Sequence, residues 1–187
     1  MPDLTRGAPA PVLYLPRPSA WLLWHDYLFR PGLRVLDLAC GEGRHALKAA
    51  QWGATVTGLD NDETRLETAR EAASRLGVSV DWKSVDLEGE WPELGQFDAV
   101  LVFNYLDRGR MVDIARLVAP GGLLFMEAYL DWQRDLGWGP TSEDHLLKPG
   151  ELAQLVAPLE ILHGREVFEP LDATKVRAVA SVVAEKH

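Results

Sequence analysis

Apolar runs alternate with amphipathic stretches along most of the chain. Strands are predicted at 34–39, 54–60, 78–86, 97–103 and 123–130. Helices are predicted between them at 44–53, at 61–77 and around Met111, Ile114 and Leu117, the last stopped by Pro120-Gly121-Gly122. Alternation of strands and helices with short links predicts a mainly parallel sheet that is covered by helices on both faces.

The pattern changes after residue 130. A polar stretch that contains tryptophans, 131–145, leads to a short helix that opens at 149–151. Two further apolar segments, 160–170 and 174–186, are joined by too few residues for a parallel crossover, so they predict an antiparallel pair. The sequence therefore predicts an α/β fold. It is a single doubly wound domain over 1–187 with a mainly parallel seven-stranded sheet and a C-terminal antiparallel strand pair.

The N-terminal segment, 1–32, is predicted to be an arm followed by a cap helix. About the first 18 residues are rich in proline and small residues, which favours extended backbone. Ser19 is a suitable N-cap for the helix that follows. The apolar residues of this helix are Trp21, Leu22, Trp24, Leu28 and Phe29.

Composition excludes several classes of ligand. The chain has a formal net charge of −9 and no run of Lys or Arg, so it lacks the basic stripe that binds nucleic acid. No apolar run is long enough to span a bilayer, and the start of the chain lacks the pattern of a secretory signal. The single cysteine, Cys40, fits a reducing compartment. We expect a cytoplasmic protein that acts on a small molecule and on neither nucleic acid nor a membrane; no feature specifies an oligomeric state.

The segment VLDLACGEGRHA, 35–46, is the strongest candidate for a ligand-binding loop. A strand runs into Gly41 and Gly43, and a helix begins at once, so backbone N–H groups are offered to an anion. With Ala46, this spacing also satisfies the dinucleotide fingerprint. Asp60, at the end of the second strand, stands where an NAD enzyme keeps its ribose carboxylate. The loop alone is therefore compatible with two classes of cofactor.

Asp37 favours one of these cofactors. It ends an apolar strand directly before the glycines, where a buried carboxylate needs a partner. A pyrophosphate would be repelled there, whereas the ammonium group of a methionine moiety would be attracted, directly or through a water. The alternative is that Asp37 accepts hydrogen bonds from loop amides only.

Several segments resemble the class I S-adenosylmethionine-dependent methyltransferases. The motifs are DLACGEG, GLD ending at Asp60, VDLE at 85–88, FDAVLVFNYL at 97–106 and LVAPGGLLFMEA at 117–128. The later segment HLLKPGEL, 145–152, resembles the small tellurite-resistance-related subgroup of that family. The resemblance implies S-adenosyl-L-methionine as cofactor and methyl transfer to a small acceptor, such as a thiol or a chalcogen oxyanion.

The resemblance also implies a role for each cofactor-site position. Asp37 faces the methionine ammonium, and the loop residues Gly41 and Gly43 lie beneath the cofactor. Asp60 accepts both ribose hydroxyls. Asn61 lies beside the ribose or only opens the next helix. Asp86 and the Leu87 backbone lie beside the adenine or belong to a solvated loop. Phe103 and Asn104 lie between the cofactor and the acceptor.

Acceptor binding is predicted at Asn104 and Tyr105. Aromatic residues outside the α/β core either cap the acceptor pocket or cover the edge of the sheet; these are Tyr14, Trp21, Trp24, Tyr129, Trp132 and Trp138. The five histidines have no metal-ligand spacing, so no metal site is expected. We see no general base, and alignment of the reactants is sufficient for this chemistry. Two alternatives remain open: a non-catalytic S-adenosylmethionine-binding module and an NAD-binding dehydrogenase.

Overall fold

The structure is a computed structural model that describes residues 17–187, so Tyr14 and most of the predicted arm lie outside it. The strands are β1 Arg34–Leu38, β2 Thr55–Asp60, β3 Asp81–Ser84, β4 Phe97–Phe103, β5 Val118–Tyr129, β6 Glu160–Pro170 and β7 Val176–Glu185. The helices are α1 Ala20–Trp24, α2 Arg44–Gln51, α3 Glu63–Leu76, α4 Met111–Leu117 and α5 Glu151–Leu155.

The seven strands form one sheet in the order β3-β2-β1-β4-β5-β7-β6. Strands β1 to β5 pair in parallel, and β7 pairs antiparallel with both β5 and β6. The predicted fold class, including the C-terminal antiparallel pair, is confirmed. Because the chain order reverses at β1 and β4, a crevice opens beyond the carboxyl ends of these neighbouring strands.

Alternating residues of the central strands bury two apolar layers. Leu36 of β1 and Val100 of β4 point into a cluster that α4 and α5 cover with Ile114 and Leu152. Their neighbours along the strands, such as Leu101, point into the opposite cluster, which contains apolar residues of α1 and α2. A strand that is buried on both faces is continuously apolar, which explains why these segments were recognisable from sequence.

Three element boundaries differ from the sequence prediction. Strand β3 is only four residues long, because its polar residues lie exposed at the sheet edge. Strand β5 begins at Val118, so the Pro120-Gly121-Gly122 turn lies within it, at a register shift against β4. Helix α1 ends at Trp24, and Leu28 and Phe29 fall in and after a 3-10 turn. At this end, the His25 side chain bonds the Trp21 carbonyl at 2.7 Å.

Ionic contacts around a wholly buried carboxylate join the C-terminal strands to the N-terminal helix. Glu127 of β5 accepts hydrogen bonds from Ser19 at 2.8 Å and from Ser181 of β7 at 2.8 Å. It also pairs with Arg165 of β6 at 3.2 Å and with Arg177 of β7 at 2.9 Å. Within residues 17–187, no helix is both long and apolar enough to cross a membrane.

Replacement of Gly122 by Ala tests the β4–β5 junction. A methyl group there would lie 2.8 Å from the Ala119 carbonyl oxygen and 3.0 Å from that of Phe97, and backbone cannot move aside as a side chain can. We expect a loss of about 1–3 kcal/mol in the free energy of unfolding, measured by urea denaturation. Gly164→Ala in β6 is the matched control, since its nearest contact would be 3.6 Å. Equal stability of the two variants would contradict the packing described here.

Candidate cofactor and acceptor cavities

A cavity of about 430 Å³ lies beyond the carboxyl ends of β1, β2 and β4. Its walls are the loop 39–42, the first residues of α2 (Arg44 and His45), the pair 60–61 after β2, Arg65 of α3 and the segment 103–105 after β4. This is the crevice at which open α/β sheets bind ligands. We name it the glycine-loop cavity.

Two non-glycine residues in its walls have left-handed backbone. Ala39, directly after β1, has φ of 53°, and Asn104, directly after β4, has φ of 60°. Such conformations are costly for residues other than glycine and cluster at functional sites. The Asn104 N–H donates to the Glu127 carbonyl at 2.8 Å, which holds its turn in place. Both strand ends are thus bent where they meet the cavity.

The two loop glycines have different surroundings. Gly41, with φ of 56°, lines the cavity. Gly43, with φ of 76°, is the N-cap of α2, and a Cβ atom there would lie 2.4 Å from the Trp82 ring. Gly43 therefore permits close packing of α2 against the sheet and does not itself line the cavity.

Asp60 ties the glycine loop to the end of β2. Its Oδ2 accepts a hydrogen bond from the Gly41 N–H at 2.7 Å, and its Oδ1 accepts one from the Asp62 N–H at 3.0 Å. A carboxylate has about four lone-pair sites, so Asp60 can accept two further hydrogen bonds. Asp60 and Asn61 both line the cavity, as the sequence predicted for neighbours of a ribose.

Asp37 is buried behind the loop and is absent from the cavity wall. Its Oδ2 accepts a hydrogen bond from the Ala46 N–H of α2 at 3.0 Å, a helix amide, whereas the alternative role predicted from sequence was a bond from loop amides only. Burial raises its pKa to about 7, and the Ala46 N–H and the Arg44 guanidinium oppose that rise. A nearby cation would return Asp37 to its ionised form.

A smaller cavity of about 110 Å³ continues from Asp60 and Asn61 toward Asp86 and Leu87. Tyr105 lines both this cavity and the glycine-loop cavity. Its hydroxyl is buried and has no hydrogen-bond partner within the described part of the chain, and burial raises its pKa to about 12. An unpartnered buried hydroxyl between two connected cavities indicates a place for a polar ligand atom.

His45 lines the glycine-loop cavity, although no motif or spacing singled it out as a site residue. Its ring stacks on Phe103 at 4.0 Å between centroids, and its Nε2 accepts the Ser19 N–H at 3.1 Å. Burial, with Arg44 and Arg177 nearby, holds its pKa well below the usual value, so the ring is neutral. His25 and His145 do not line this cavity. Among residues 17–187, no group of three His, Cys, Asp or Glu side chains could hold a metal ion.

A larger cavity of about 610 Å³ lies beside the first, and the two share Arg44. It is bounded by the start of α1, the end of β6 and the start of β7, and we name it the arginine cavity. Its arginines are Arg17, Arg44, Arg165 and Arg177. They are far apart in the sequence, so no local motif revealed them.

The predicted acceptor-site tryptophans lie in different environments. Trp24 lines the arginine cavity, whereas Trp21 is buried and donates to the Val182 carbonyl at 3.1 Å. Trp138 donates to the Val176 carbonyl at 3.0 Å, and Trp132 stacks on Phe168 at 5.4 Å between centroids. Trp21, Trp132 and Trp138 do not line the arginine cavity themselves.

A protein-family model matches the part of the chain that contains the glycine loop. Residues 35–122 match the family model described as a methyltransferase domain. The matched segment contains β1, β2 and β4 together with the glycine loop between β1 and α2.

Curated relatives include ubiquinone biosynthesis O-methyltransferases. The protein of Methylocella silvestris is 33% identical over 171 residues, which is 78% of this chain and 66% of the relative. That of Rhizobium etli is 40% identical over 159 residues, or 73% of this chain and 64% of the relative. The chain thus spans less than two thirds of the length of these relatives.

Solved structures share the fold at low sequence identity. TehB from Haemophilus influenzae has a TM-score of 0.73 at 19% identity, covering 89% of this chain and 61% of that one. A SAM-dependent methyltransferase from Methanosarcina mazei has a TM-score of 0.70 at 20% identity, covering 88% and 96%. The [4+2]-cyclase SpnF has a TM-score of 0.69 at 21% identity, covering 88% and 79%. This chain has the class I methyltransferase fold, and its residues 35–122 match the methyltransferase-domain model.

Asp37→Asn tests the buried carboxylate. The folded-state pKa is raised, so the folded protein binds the extra proton and stability falls as pH rises from about 4 to 7. Asn keeps an acceptor for the Ala46 N–H without the buried charge. We expect the variant to be more stable than the parent at pH 8, on the order of 2–4 kcal/mol, and this advantage to be about half as large or smaller at pH 5.

Asp98→Asn is the control, because Asp98 has a lowered pKa owing to its hydrogen bond from the Arg34 N–H. That variant should lose stability at pH 8, where the ionised carboxylate is favourable. Thermal unfolding at both pH values, without ligand, measures both variants. A pH-independent effect of Asp37→Asn would contradict its raised pKa.

Proposed function

We propose that this protein is an S-adenosyl-L-methionine-dependent methyltransferase that acts on a small-molecule acceptor. The observation that carries the proposal is the pair of connected cavities along the carboxyl edge of β1, β2 and β4. They run from the glycine loop past Asp60 to Asp86, and both are lined by Tyr105, whose buried hydroxyl has no hydrogen-bond partner within residues 17–187. This outline fits an amino acid joined through a ribose to a base.

The cavity walls offer each part of the cofactor a suitable partner. Asp60 has acceptor capacity for two ribose hydroxyls and is positioned by the Gly41 N–H. Asn61 adjoins the ribose, and Asp86 with the Leu87 backbone faces the adenine. Phe103 and Asn104 separate this site from the acceptor. Gly43 supports the loop from behind, through its contact with Trp82.

Asp37 and Arg44 are the partners of the two charged groups of the methionine moiety. The ammonium group favours the ionised form of Asp37, acting from behind the loop or through a water. Arg44, the first residue of α2, stands in the cavity wall beside the helix N–H groups that attract the carboxylate. When bound, the cofactor supplies a methyl group on a positively charged sulfur.

Alignment and exclusion of water carry the catalysis in this proposal. His45 is the histidine of the cavity wall, but its Nε2 is occupied by the Ser19 N–H and its ring is neutral. Cys40 is buried, and burial together with Asp37 and Asp60 raises the pKa of its thiol, so it is a poor nucleophile. Asn104 and Tyr105 orient the reacting end of the acceptor, as proposed from the sequence, and the Tyr105 hydroxyl also contacts the cofactor, since Tyr105 lines both cofactor cavities.

The names of the relatives favour an oxygen nucleophile on the acceptor. The narrower acceptors that the segment 145–152 suggested, a thiol or a chalcogen oxyanion, rest on the subgroup resemblance, and TehB is one structural neighbour among several. We place the protein in the cytoplasm and propose no nucleic-acid or membrane partner.

A non-catalytic S-adenosylmethionine-binding module is the second candidate. One observation favours it: a protein with this fold is named a [4+2]-cyclase, so the fold does not by itself specify methyl transfer. Incubation with methyl-labelled S-adenosylmethionine and hydroxyl and thiol acceptors distinguishes the two. Transfer of label supports the enzyme, whereas cofactor binding without transfer to any acceptor supports the module.

S-Adenosylhomocysteine should stabilise the protein and NAD should not. At a hundredfold excess over Kd the gain is about 2.7 kcal/mol, visible as a rise in melting temperature. Asp60→Ala should weaken S-adenosylhomocysteine binding by about 1.5–3 kcal/mol in calorimetry, because two hydroxyl partners are lost.

The matched control is Asp62→Ala, which removes the side-chain cap of α3 at a similar cost in stability. This variant should retain its affinity for S-adenosylhomocysteine. Stabilisation by NAD alone would overturn the proposed cofactor. Equal affinities of the Asp60 and Asp62 variants would show that Asp60 serves only the loop.

Tyr105→Phe tests the unpartnered hydroxyl. Without ligand, removal of a buried hydroxyl that lacks a partner should raise stability by about 1–3 kcal/mol. With saturating S-adenosylhomocysteine, the advantage should shrink or reverse, because the parent hydroxyl then gains a partner.

Tyr27→Phe is the control, since Tyr27 is exposed and bonds His163 outside both cavities. It should respond to the ligand as the parent does. The same ligand-induced stabilisation in the parent and in Tyr105→Phe would contradict a ligand contact for this hydroxyl.

A further inference from the structure

The arginine cavity concentrates positive charge on an acidic protein. Arg17, Arg165 and Arg177 line it, and Arg44 is shared with the glycine-loop cavity. The charges that oppose them are Glu169 in its wall and the buried Glu127 beneath. The walls therefore carry more positive than negative charge, although the whole chain has a net charge of −9.

Two of these arginines have donor groups that no other residue of 17–187 uses. Arg165 uses its Nε and Nη2 groups for Ser181 and the two glutamates, at 3.2, 3.2 and 2.9 Å. Arg177 uses the same two groups, with its Nε 2.8 Å from Glu169 and its Nη2 2.9 Å from Glu127. Within residues 17–187, the Nη1 group of neither arginine makes a hydrogen bond. The glutamates thus fix the guanidinium planes, and one edge of each makes no hydrogen bond to the described part of the chain.

Another part of the cavity wall is apolar and open to solvent. It includes Trp24, which is 60% exposed, and Phe168, which is 55% exposed, with Leu23 and Leu171 beside them. Arg165 stacks on the rings of Trp21 and Trp24 at 4.9 and 4.6 Å, so the charged and apolar walls meet along one line. A ligand that satisfies both walls has an anionic group and an apolar body.

The arginine cavity adjoins the proposed cofactor site. Arg44 lines both cavities, and the hydrogen bond from the Ser19 N–H to His45 joins the wall of one to the wall of the other. An acceptor that lies on the apolar wall with its anionic group on the guanidinium groups can direct its other end toward the glycine loop.

We infer that the arginine cavity binds the methyl acceptor and that this acceptor is an organic carboxylate with an apolar, aromatic-sized body. Guanidinium groups bind carboxylates through paired hydrogen bonds. The inference rests on the proposed methyl transfer. The acceptor oxygen or sulfur forms a bond to the methyl carbon, the carbon–sulfur bond breaks with its electron pair on sulfur, and the proton of a hydroxyl acceptor leaves to water.

The wild-type protein tests the inference without any substitution. The probes are 3,4-dihydroxybenzoate and 3,4-dihydroxybenzamide, which share the ring and both hydroxyls and differ in charge. Calorimetry on protein saturated with S-adenosylhomocysteine should show at least tenfold tighter binding of the carboxylate, as expected for a charge-assisted hydrogen bond. Equal binding, preference for the amide, or no binding of either probe would overturn it.

Two variants locate the carboxylate. Arg17→Gln changes a residue of the arginine cavity that does not line the glycine-loop cavity. It should weaken benzoate binding several-fold and leave S-adenosylhomocysteine binding unchanged. Arg165→Gln should weaken benzoate binding about 10- to 100-fold, with its folding checked by circular dichroism because it also pairs with Glu127.

Arg116→Gln is the matched control, since its side chain is 75% exposed on α4 and pairs with Asp113. It should bind benzoate as the parent does. Full benzoate affinity in Arg17→Gln, together with full affinity in a folded Arg165→Gln, would overturn the inference. If the Arg165 variant does not fold, the inference is tested by the Arg17 variant and by the comparison of 3,4-dihydroxybenzoate with 3,4-dihydroxybenzamide.

A separate arm distinguishes this inference from the proposed function. The benzoate titration is repeated without S-adenosylhomocysteine, and S-adenosylhomocysteine is titrated without benzoate. If S-adenosylhomocysteine alone does not bind, the proposed cofactor is overturned and the anion preference of the arginine cavity stays intact. If 3,4-dihydroxybenzoate alone does not bind, the carboxylate acceptor is overturned and the proposed methyl transfer stays intact.

Discussion

The buried carboxylate of Glu127 is the contact on which both cavities depend. Its side chain binds Arg165 and Arg177 of the C-terminal strands and Ser19 at the start of α1. Its backbone carbonyl accepts the Asn104 N–H and so supports the left-handed turn after β4. Removal of one partner from a buried ionic cluster costs about 3–5 kcal/mol, because the remaining charge stays unpaired. One residue therefore holds the wall of the arginine cavity and the wall of the glycine-loop cavity.

Strain at the strand ends has a similar structural cause. Ala39 and Asn104 both have positive φ, and both follow strands that are paired on each side within the sheet. The sheet fixes where each strand ends, so the chain must turn within one residue to leave the crevice open. Such strain, on the order of 1–3 kcal/mol for each residue, persists only where the surroundings determine the conformation. Here those surroundings are the Leu59 carbonyl, which accepts the Cys40 N–H next to Ala39 at 2.8 Å, and the Glu127 carbonyl, which accepts the Asn104 N–H.

The sequence predicted the elements whose signals are local. The continuous apolar runs gave β1, β2 and β4, and the glycines with Asp60 located the loop that lines the first cavity. The arginine cavity was missed because Arg17, Arg44, Arg165 and Arg177 come together only through the antiparallel pair and the N-terminal helix. His45 was missed because its role depends on stacking against Phe103, which no spacing reveals. The predicted start of β5, residue 123, was too late, because a Pro-Gly-Gly turn ordinarily ends an element. Here the turn lies inside the strand, where the pairing of β5 with β4 shifts in register.

The two cavities also differ in charge, which bears on selectivity. The proposed cofactor carries an ammonium and a sulfonium against one carboxylate. The acidic residues that line its cavities, Glu42, Asp60, Asp86 and Glu88, outnumber the basic ones, Arg44 and Arg65, and Asp37 lies buried behind the loop. The arginine cavity carries the opposite sign. A cation in the arginine cavity or an organic acid beside the aspartates would face like charges, and such juxtapositions discriminate strongly between ligands. Arg44 stands at the boundary, close enough to Asp37 to lower its pKa and within the wall of the second cavity. Because the cavities on the two sides of Arg44 differ in charge, the proposed cofactor and the proposed acceptor each bind in their own cavity. This placement of the two ligands does not require a catalytic base.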